Sequence, residues 1–276
     1  MSPKYSFNAR DLIKTGKFKP ETLLEFKKWC DCEKLPDLNQ QQQILFLSCA
    51  DNLQEAQQVA RRYFQCRSAA PELFANLDLE GADCQQGFSV FDISLAPCRT
   101  ADNVLVAYGK LNDTSYSNFH LAQLLKLTLM TLDCALNDGP ADGSIVLIDM
   151  KGIGFMHLTR ARLGVIQKFF QFVQEALQVR IKSIHILNAV NILNNILFII
   201  KPFINRELYE AIHCHTPEKT HEIFEFVSKD FVPKDYGGNL PSQHYLAEKT
   251  HEKMLKLQPL FTDLEKQTKM YHVLKK

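Results

Sequence analysis

The sequence predicts an α/β protein in which an all-helical N-terminal module precedes an α/β sandwich with a mainly parallel sheet. Two observations carry this. Up to about residue 75, apolar residues recur only at helical spacing. From about residue 88, short β-rich runs alternate with long helical stretches. Strands joined by long helical crossovers run parallel.

In order, Pro20-Glu21 opens a helix through Trp29 and Cys30, with Leu23, Phe26 and Cys30 on one face. A second helix starts at Leu38-Asn39, and its Gln40–Gln43 run reads as a solvated first turn. In the third, Leu53, Ala56, Ala60, Tyr63 and Phe64 recur at helical spacing through Arg67. Then come SVFDISL, NVLVAY and a helix over 116–137; SIVLIDM and a helix over 158–179; IKSIHIL and a helical stretch over 191–212; IHCH and a helix over 218–228. Asn137-Asp138-Gly139-Pro140 and Lys151-Gly152-Ile153-Gly154 are breakers. The tail, 242–276, reads as one or two polar helices with a break near Pro259. The expected divisions are 1–76, 77–240 and 241–276.

The helices carry the first functional hint. Stretch 116–137 is apolar almost all round, and 158–179 adds Ile166, Phe170, Phe172 and Leu177 to its core stripe. A helix this apolar is buried on two sides. Either it is central in a dry core, or one side faces the sheet and the other an apolar cavity.

Lys+Arg is 32 and Asp+Glu 31 among 276 residues, a formal charge of +1. That balance argues against a surface built for nucleic acid. The mix, 46% hydrophobic and 23% charged, excludes wholesale disorder. A chain this long hides about three quarters of its unfolded surface, enough for a core with a hole in it. The eight cysteines are scattered without a C-x-x-C and read as reduced thiols packed as small apolar residues. The opening MSPKYSFNARDLIKTGKF lacks the apolar core of a secretory signal. The most apolar stretches, 121–136 and 192–204, fall short of the ~18 clean residues of a spanning helix. The expectation is a soluble, cytoplasmic protein.

Candidate chemistry is sparse. Gly152-Ile-Gly154 follows a strand, but His157 stands where a dinucleotide-binding turn needs its third glycine. His213-Cys214-His215 is the one metal-like cluster; it lacks further ligands and reads as a polar strand end. Asp149 reads as the cap of a turn after its strand. No paired base and nucleophile emerges, so no catalytic residue, metal or cofactor is expected, and the chain is not read as an enzyme.

Several ordered motifs in 143–238 resemble the CRAL-TRIO lipid-binding family, particularly its tocopherol-transfer and retinal-binding branch. They are Val146-Leu-Ile-Asp149-Met-Lys-Gly152, Ser183-Ile-His185-Ile-Leu-Asn188, Ile200-Lys201-Pro202-Phe203, Ala211-Ile-His213-Cys-His215 and Val232-Pro233-Lys-Asp-Tyr236-Gly237-Gly238. Residues 21–76 are similar to the family's N-terminal helices.

The resemblance implies a cavity for one hydrophobic molecule, closed by a gate helix that opens on membranes. Carried over by position, the lining is Leu125, Thr128, Thr131 and Leu132, then Ile148, Phe169, Phe172, Val173, Leu177, Ile181 and Ile184. The gate begins after Asn191 and presents Ile192, Ile196 and Ile199; their spacing independently supports one stripe. Phe155 faces it across the mouth. Thr128 and Thr131 are candidate polar contacts unless their hydroxyls bond back to helix carbonyls.

Arg180 and Lys182 match two of the basic positions that receive a phosphoinositide headgroup in that branch. Glu207 and Ala211 replace two others, and Ser48-Cys49-Ala50 stands where an arginine is expected. Val190 replaces a proline after Asn188. Three readings remain: a carrier of a retinoid, carotenoid, tocopherol-like or other isoprenoid lipid that touches membranes transiently; a phosphoinositide exchanger; and a scaffold whose cavity Leu132, Phe169 and Phe172 fill.

Overall fold

A computed structural model describes residues 2–188 and 192–275. The N-terminal helices are α1 (Ala9–Lys14), α2 (Pro20–Cys32), α3 (Gln40–Ser48), α4 (Leu53–Ala69) and α5 (Pro71–Phe74). Side-chain caps set three of these starts: Asn8 accepts from the Arg10 amide, Asn39 from the Gln42 amide and Asn52 from the Glu55 amide. The Asn39 cap also fixes the rotation of α3. As a result Gln42 and Gln43 are buried, not solvated as the sequence suggested. Gln42 Nε2 donates to Gln267 Oε1 at 2.8 Å, and Gln43 Nε2 to the Leu38 carbonyl at 2.9 Å.

Next come α6 (Ala82–Val90), β1 (Phe91–Leu95), β2 (Val104–Leu111), α7 (Leu121–Leu136), β3 (Gly143–Asp149), the single turn α8 (Phe155–Leu158) and α9 (Leu163–Glu175). They are followed by β4 (Ile181–Leu187), α10 (Leu193–Ile200), α11 (Arg206–Glu210) and β5 (Ile212–Cys214). The chain closes with α12 (Gln243–Lys256) and α13 (Gln258–Leu274), separated at Leu257 just before Pro259.

Four expected helices differ. The stretch 116–137 is helical only over Leu121–Leu136. In the stretch 158–179, Leu158 ends α8 and the long helix covers only Leu163–Glu175. The stretch 191–212 is split into α10, a 3-10 turn Lys201–Phe203 and α11, because Pro202 has no amide to continue an α-helix. Residues Pro217–Glu225 form 3-10 turns in place of an α-helix. Val190 and Asn191, at the expected gate hinge, lie outside the described residues.

The sheet runs β1-β2-β3-β4-β5, with β1 antiparallel to β2 and every other pair parallel. Right-handed crossovers that advance steadily in one direction put their helices on one face. That rule places α7 and α9 together. The opposite face is filled by Ile223, Val227, Val232, Tyr236 and Leu246, which pack on Val106, Tyr108, Ile145 and Leu147. Near β1, the α7 side is sealed as well: Phe91, Ile93 and Leu105 pack with Leu127, Met130 and Ala135.

Candidate functional site

The helix-covered face changes character from β3 onward. Ile145, Leu147 and Asp149 are buried, yet Val146 and Ile148, which alternate with them, are only half-buried. The register sets Val146 beside Ala107 and Ile184, and Ile184 beside Ile212. Paired residues point to the same side of a sheet. These four neighbours of the inner face are all half-buried too. An apolar floor therefore lies beneath α7 and α9 without being packed shut.

Three helical stripes go with it. On α7, Leu125, Thr128 and Leu132 are half-buried, one helical turn apart. On α9, Phe169 and Val173 are half-buried one turn apart, and Leu177, two residues past the end of the helix, is half-buried too. On α10 and the residue before it, Ile192, Ile196 and Ile199 form the third. No residue of α10 is buried, although its sequence is Leu-Asn-Asn-Ile-Leu-Phe-Ile-Ile. Its Phe198 stands 81% exposed. Ile181 opens β4 and is half-buried.

Two members of the expected lining are engaged elsewhere. Thr131 is buried on another side of α7, where its hydroxyl donates to Met254 Sδ of α12 at 3.6 Å. Phe172 is buried against the N-terminal helices, its ring centroid 4.8 Å from Phe74 and 5.8 Å from Tyr63. Thr128 stays with the stripe, but its hydroxyl donates to the Leu124 carbonyl at 2.9 Å. Phe155 is 65% exposed beside Met156, itself 48% exposed. Sequence reasoning missed Val146 and Ile212, which the two-residue period from Ile148 and Ile184 along with β5 pairing would have supplied.

Arg180 is already partnered. Its Nη2 lies 2.6 Å from Asp51 Oδ1, and its Nε donates to the Cys49 carbonyl at 3.3 Å. Donating to the Asp51 carboxylate pushes the Arg180 pKa up. The loop that replaces the expected arginine thus brings an acid to this spot. Lys182 is exposed, its aliphatic stem lying over Gly143.

The remaining polar candidates are built into the sheet. His185 Nδ1 faces His215 Nε2 at 3.0 Å, and His185 Nε2 lies 2.9 Å from Ser183 Oγ. His213 stacks on His185 at 5.1 Å between centroids. Among the described residues, no group of three or more His, Cys, Asp or Glu side chains is arranged to hold a metal ion. Asp149 caps its turn by accepting from the Lys151 amide at 2.8 Å. His157, in the place of a third glycine, accepts the Gly154 amide on Nδ1 at 3.0 Å and so caps α8. Among the described residues, no helix is long and apolar enough to cross a membrane.

A mainly parallel sheet with one face packed shut and an apolar, half-buried floor on the other, under α7 and α9, defines an α/β sandwich. The family model for the CRAL/TRIO domain matches residues 98–238, and the chain belongs to that family of lipid-binding and lipid-transfer domains. It is similar to the alpha-tocopherol transfer protein-like proteins of Mus musculus, 24% identical over 187 residues, and of Homo sapiens, 23% identical over 187 residues. Each match covers 66% of this chain and 53% of the relative, so the chain spans about half the length of the curated relatives it matches. Among solved structures, one described as the crystal structure of Sfh5 aligns with a TM-score of 0.43 at 10% identity, covering 83% of this chain and 92% of that one.

Proposed function

We propose that this chain carries one small hydrophobic molecule, a retinoid, carotenoid, tocopherol-like or other isoprenoid lipid, and exchanges it with membranes. The guest lies over Ile148, Ile181 and Ile184, between the stripes Leu125–Thr128–Leu132 and Phe169–Val173–Leu177. Helix α10 closes the space with Ile192, Ile196 and Ile199. The observation that carries the reading is the asymmetry of β3, whose buried residues alternate with half-buried Val146 and Ile148 on the α7 side. Apolar side chains left uncovered beneath helices gain stability from a guest that covers them.

The energetics suit a shuttle. A guest with about ten buried methylene-sized groups gains about 8 kcal/mol on leaving water, at ~0.8 kcal/mol each. A bilayer offers nearly the same gain, so transfer between the two is close to balanced. The membrane contact is assigned to α10, where Phe198 is exposed together with Asn194 and Asn195.

Organic extraction and native mass spectrometry of the purified chain test the reading, followed by uptake from vesicles loaded with a candidate isoprenoid. One bound lipid per chain is expected. Protein that is empty and stays empty would leave the filled scaffold in its place. Phosphoinositide exchange is the second reading, and Arg180 with Lys182 motivates it. Asp51 and Glu55, 2.6 and 3.9 Å from Arg180, weaken it by occupying the cation a headgroup needs.

A further inference from the structure

Two side-chain amides hold the two ends of the α10 segment, and they hold them unequally. Upstream, Asn188 Nδ2 donates to Asp149 Oδ1 at 2.7 Å. Downstream, Gln174 of α9 grips the chain that follows Pro202. Its Nε2 donates to the Phe203 carbonyl at 2.9 Å, and its Oε1 accepts from the Asn205 amide at 2.5 Å. Ile204 between them is extended, with φ −115° and ψ 141°. One side-chain amide thus pairs with both a carbonyl and an N–H of an extended segment, as a neighbouring strand would. Asn205 then caps α11 by accepting from the Leu208 amide at 2.8 Å.

The two grips differ in strength. Asp149 is buried and ionisable, and a hydrogen bond to a charged acceptor is roughly twice as strong as a neutral one. The Tyr236 hydroxyl, 3.1 Å from Asp149 Oδ2, steadies the same carboxylate. The Gln174 pair is neutral, and Asn205 is exposed, so water can replace it at little net loss. Between the grips, none of the residues of α10 is buried.

We propose that Gln174 is the positioning residue that keeps the α10 segment closed, letting go at Phe203–Asn205 while Asn188 stays fixed as the pivot. This rests on the reading of α10 as the lid of the lipid site. It adds which end of the lid opens and which side chain decides it.

Hydrogen exchange read by mass spectrometry on the full chain, without lipid, tests it. Gln174→Ala removes both bonds; Gln174→Glu keeps an acceptor for Asn205 and loses the donor to Phe203. Both variants are expected to speed exchange across 196–205 roughly tenfold while β4 and β5 keep their protection. Gln171→Ala, one turn earlier on α9, should match the parent chain. Gln174 variants indistinguishable from Gln171→Ala would overturn the proposal. So would acceleration spread through β4 and β5, or loss of cooperative folding in both Gln174 variants, since either makes Gln174 a general stability group. The readout needs no ligand, so failure of the carrier reading shows separately, as empty protein on extraction.

Discussion

Asn188 and Asp149 meet at 2.7 Å, and that single bond joins the ends of two neighbouring parallel strands where the chain leaves β4. Asn188 sits at φ +51°, a left-handed conformation that asparagine tolerates better than most residues. Tyr236, from a third sequence motif, completes the knot at Asp149. Burial and the Asp149 charge push the Tyr236 pKa up, so the hydroxyl keeps its proton. Asn188→Gly retains the backbone freedom and deletes only the bond. The expected loss is about 1–3 kcal/mol of unfolding free energy, because a buried acceptor is left short of a partner. Urea titration checks this; a midpoint unchanged from the parent would mean that water fills the place of the amide.

The N-terminal helices are locked to α7 by an ion pair. Arg67 Nη2 lies 3.0 Å from Asp133 Oδ2, its Nη1 donates to the Tyr63 hydroxyl at 2.6 Å, and the guanidinium lies over the Phe74 ring. The Arg67 side chain is 1% exposed. Asp133→Ala should destabilise by about 3–5 kcal/mol, since it strands a buried charge. Replacing both partners, Arg67→Met with Asp133→Leu, should recover most of that loss. Calorimetry of the single and double variants decides it, and equal melting temperatures for the two would refute the account.

Periodicity made the sheet legible, because Val104–Leu111, Gly143–Asp149 and Ile181–Leu187 are apolar runs bounded by turns. Spacing also made the Ile192, Ile196 and Ile199 stripe legible, whereas the lining on α7 and α9 was carried over from the family resemblance. It could not rank Thr128 against Thr131, because Met254, from a helix more than a hundred residues later, determines where Thr131 points. Nor did it find α6, whose sequence ADCQQGFSV carries little apolar rhythm; Gly87 lets that helix press on Leu127 of α7. The Gln40–Gln43 run misled because polarity was read as exposure, whereas Gln42 meets Gln267 from the far end of the chain. Gln174 carried no signal at all: its partners are main-chain groups.

Phe198 offers a separable test of membrane contact. At 81% exposure it adds little to folding, so Phe198→Ser should leave the melting temperature nearly unchanged. Burying a phenylalanine in lipid is worth roughly 1.5–3 kcal/mol, so its loss should weaken vesicle association about tenfold or more. Flotation with neutral phosphatidylcholine vesicles measures this. The apolar origin predicts weak salt dependence. Unchanged flotation would move the contact to another surface, with Phe155 and Met156 the next exposed apolar pair.

Acid should loosen the back of the same sheet. Burial, then the neighbouring His215 and His213 rings, push His185 down to about 4, and burial also lowers His215. The groups facing them are Ser183 on β4, Glu222 and Phe226 after β5, and His213 on β5 itself. In the unfolded chain a histidine takes its proton near pH 6.5. Between about 6.5 and 4 the unfolded state therefore binds more protons than the folded one, and stability rises with pH across that window. The contribution is complete above the unfolded value and drains away as pH falls toward the folded one. Glu222, 3.5 Å from His215 Nδ1, favours the charged form of that ring and moderates the effect. Melting temperatures measured from pH 7.5 to 4.5 should fall for the parent chain and fall less for His185→Phe, which keeps the aromatic stack and removes the buried base. Parallel curves for the two would place the acid sensitivity elsewhere in the molecule.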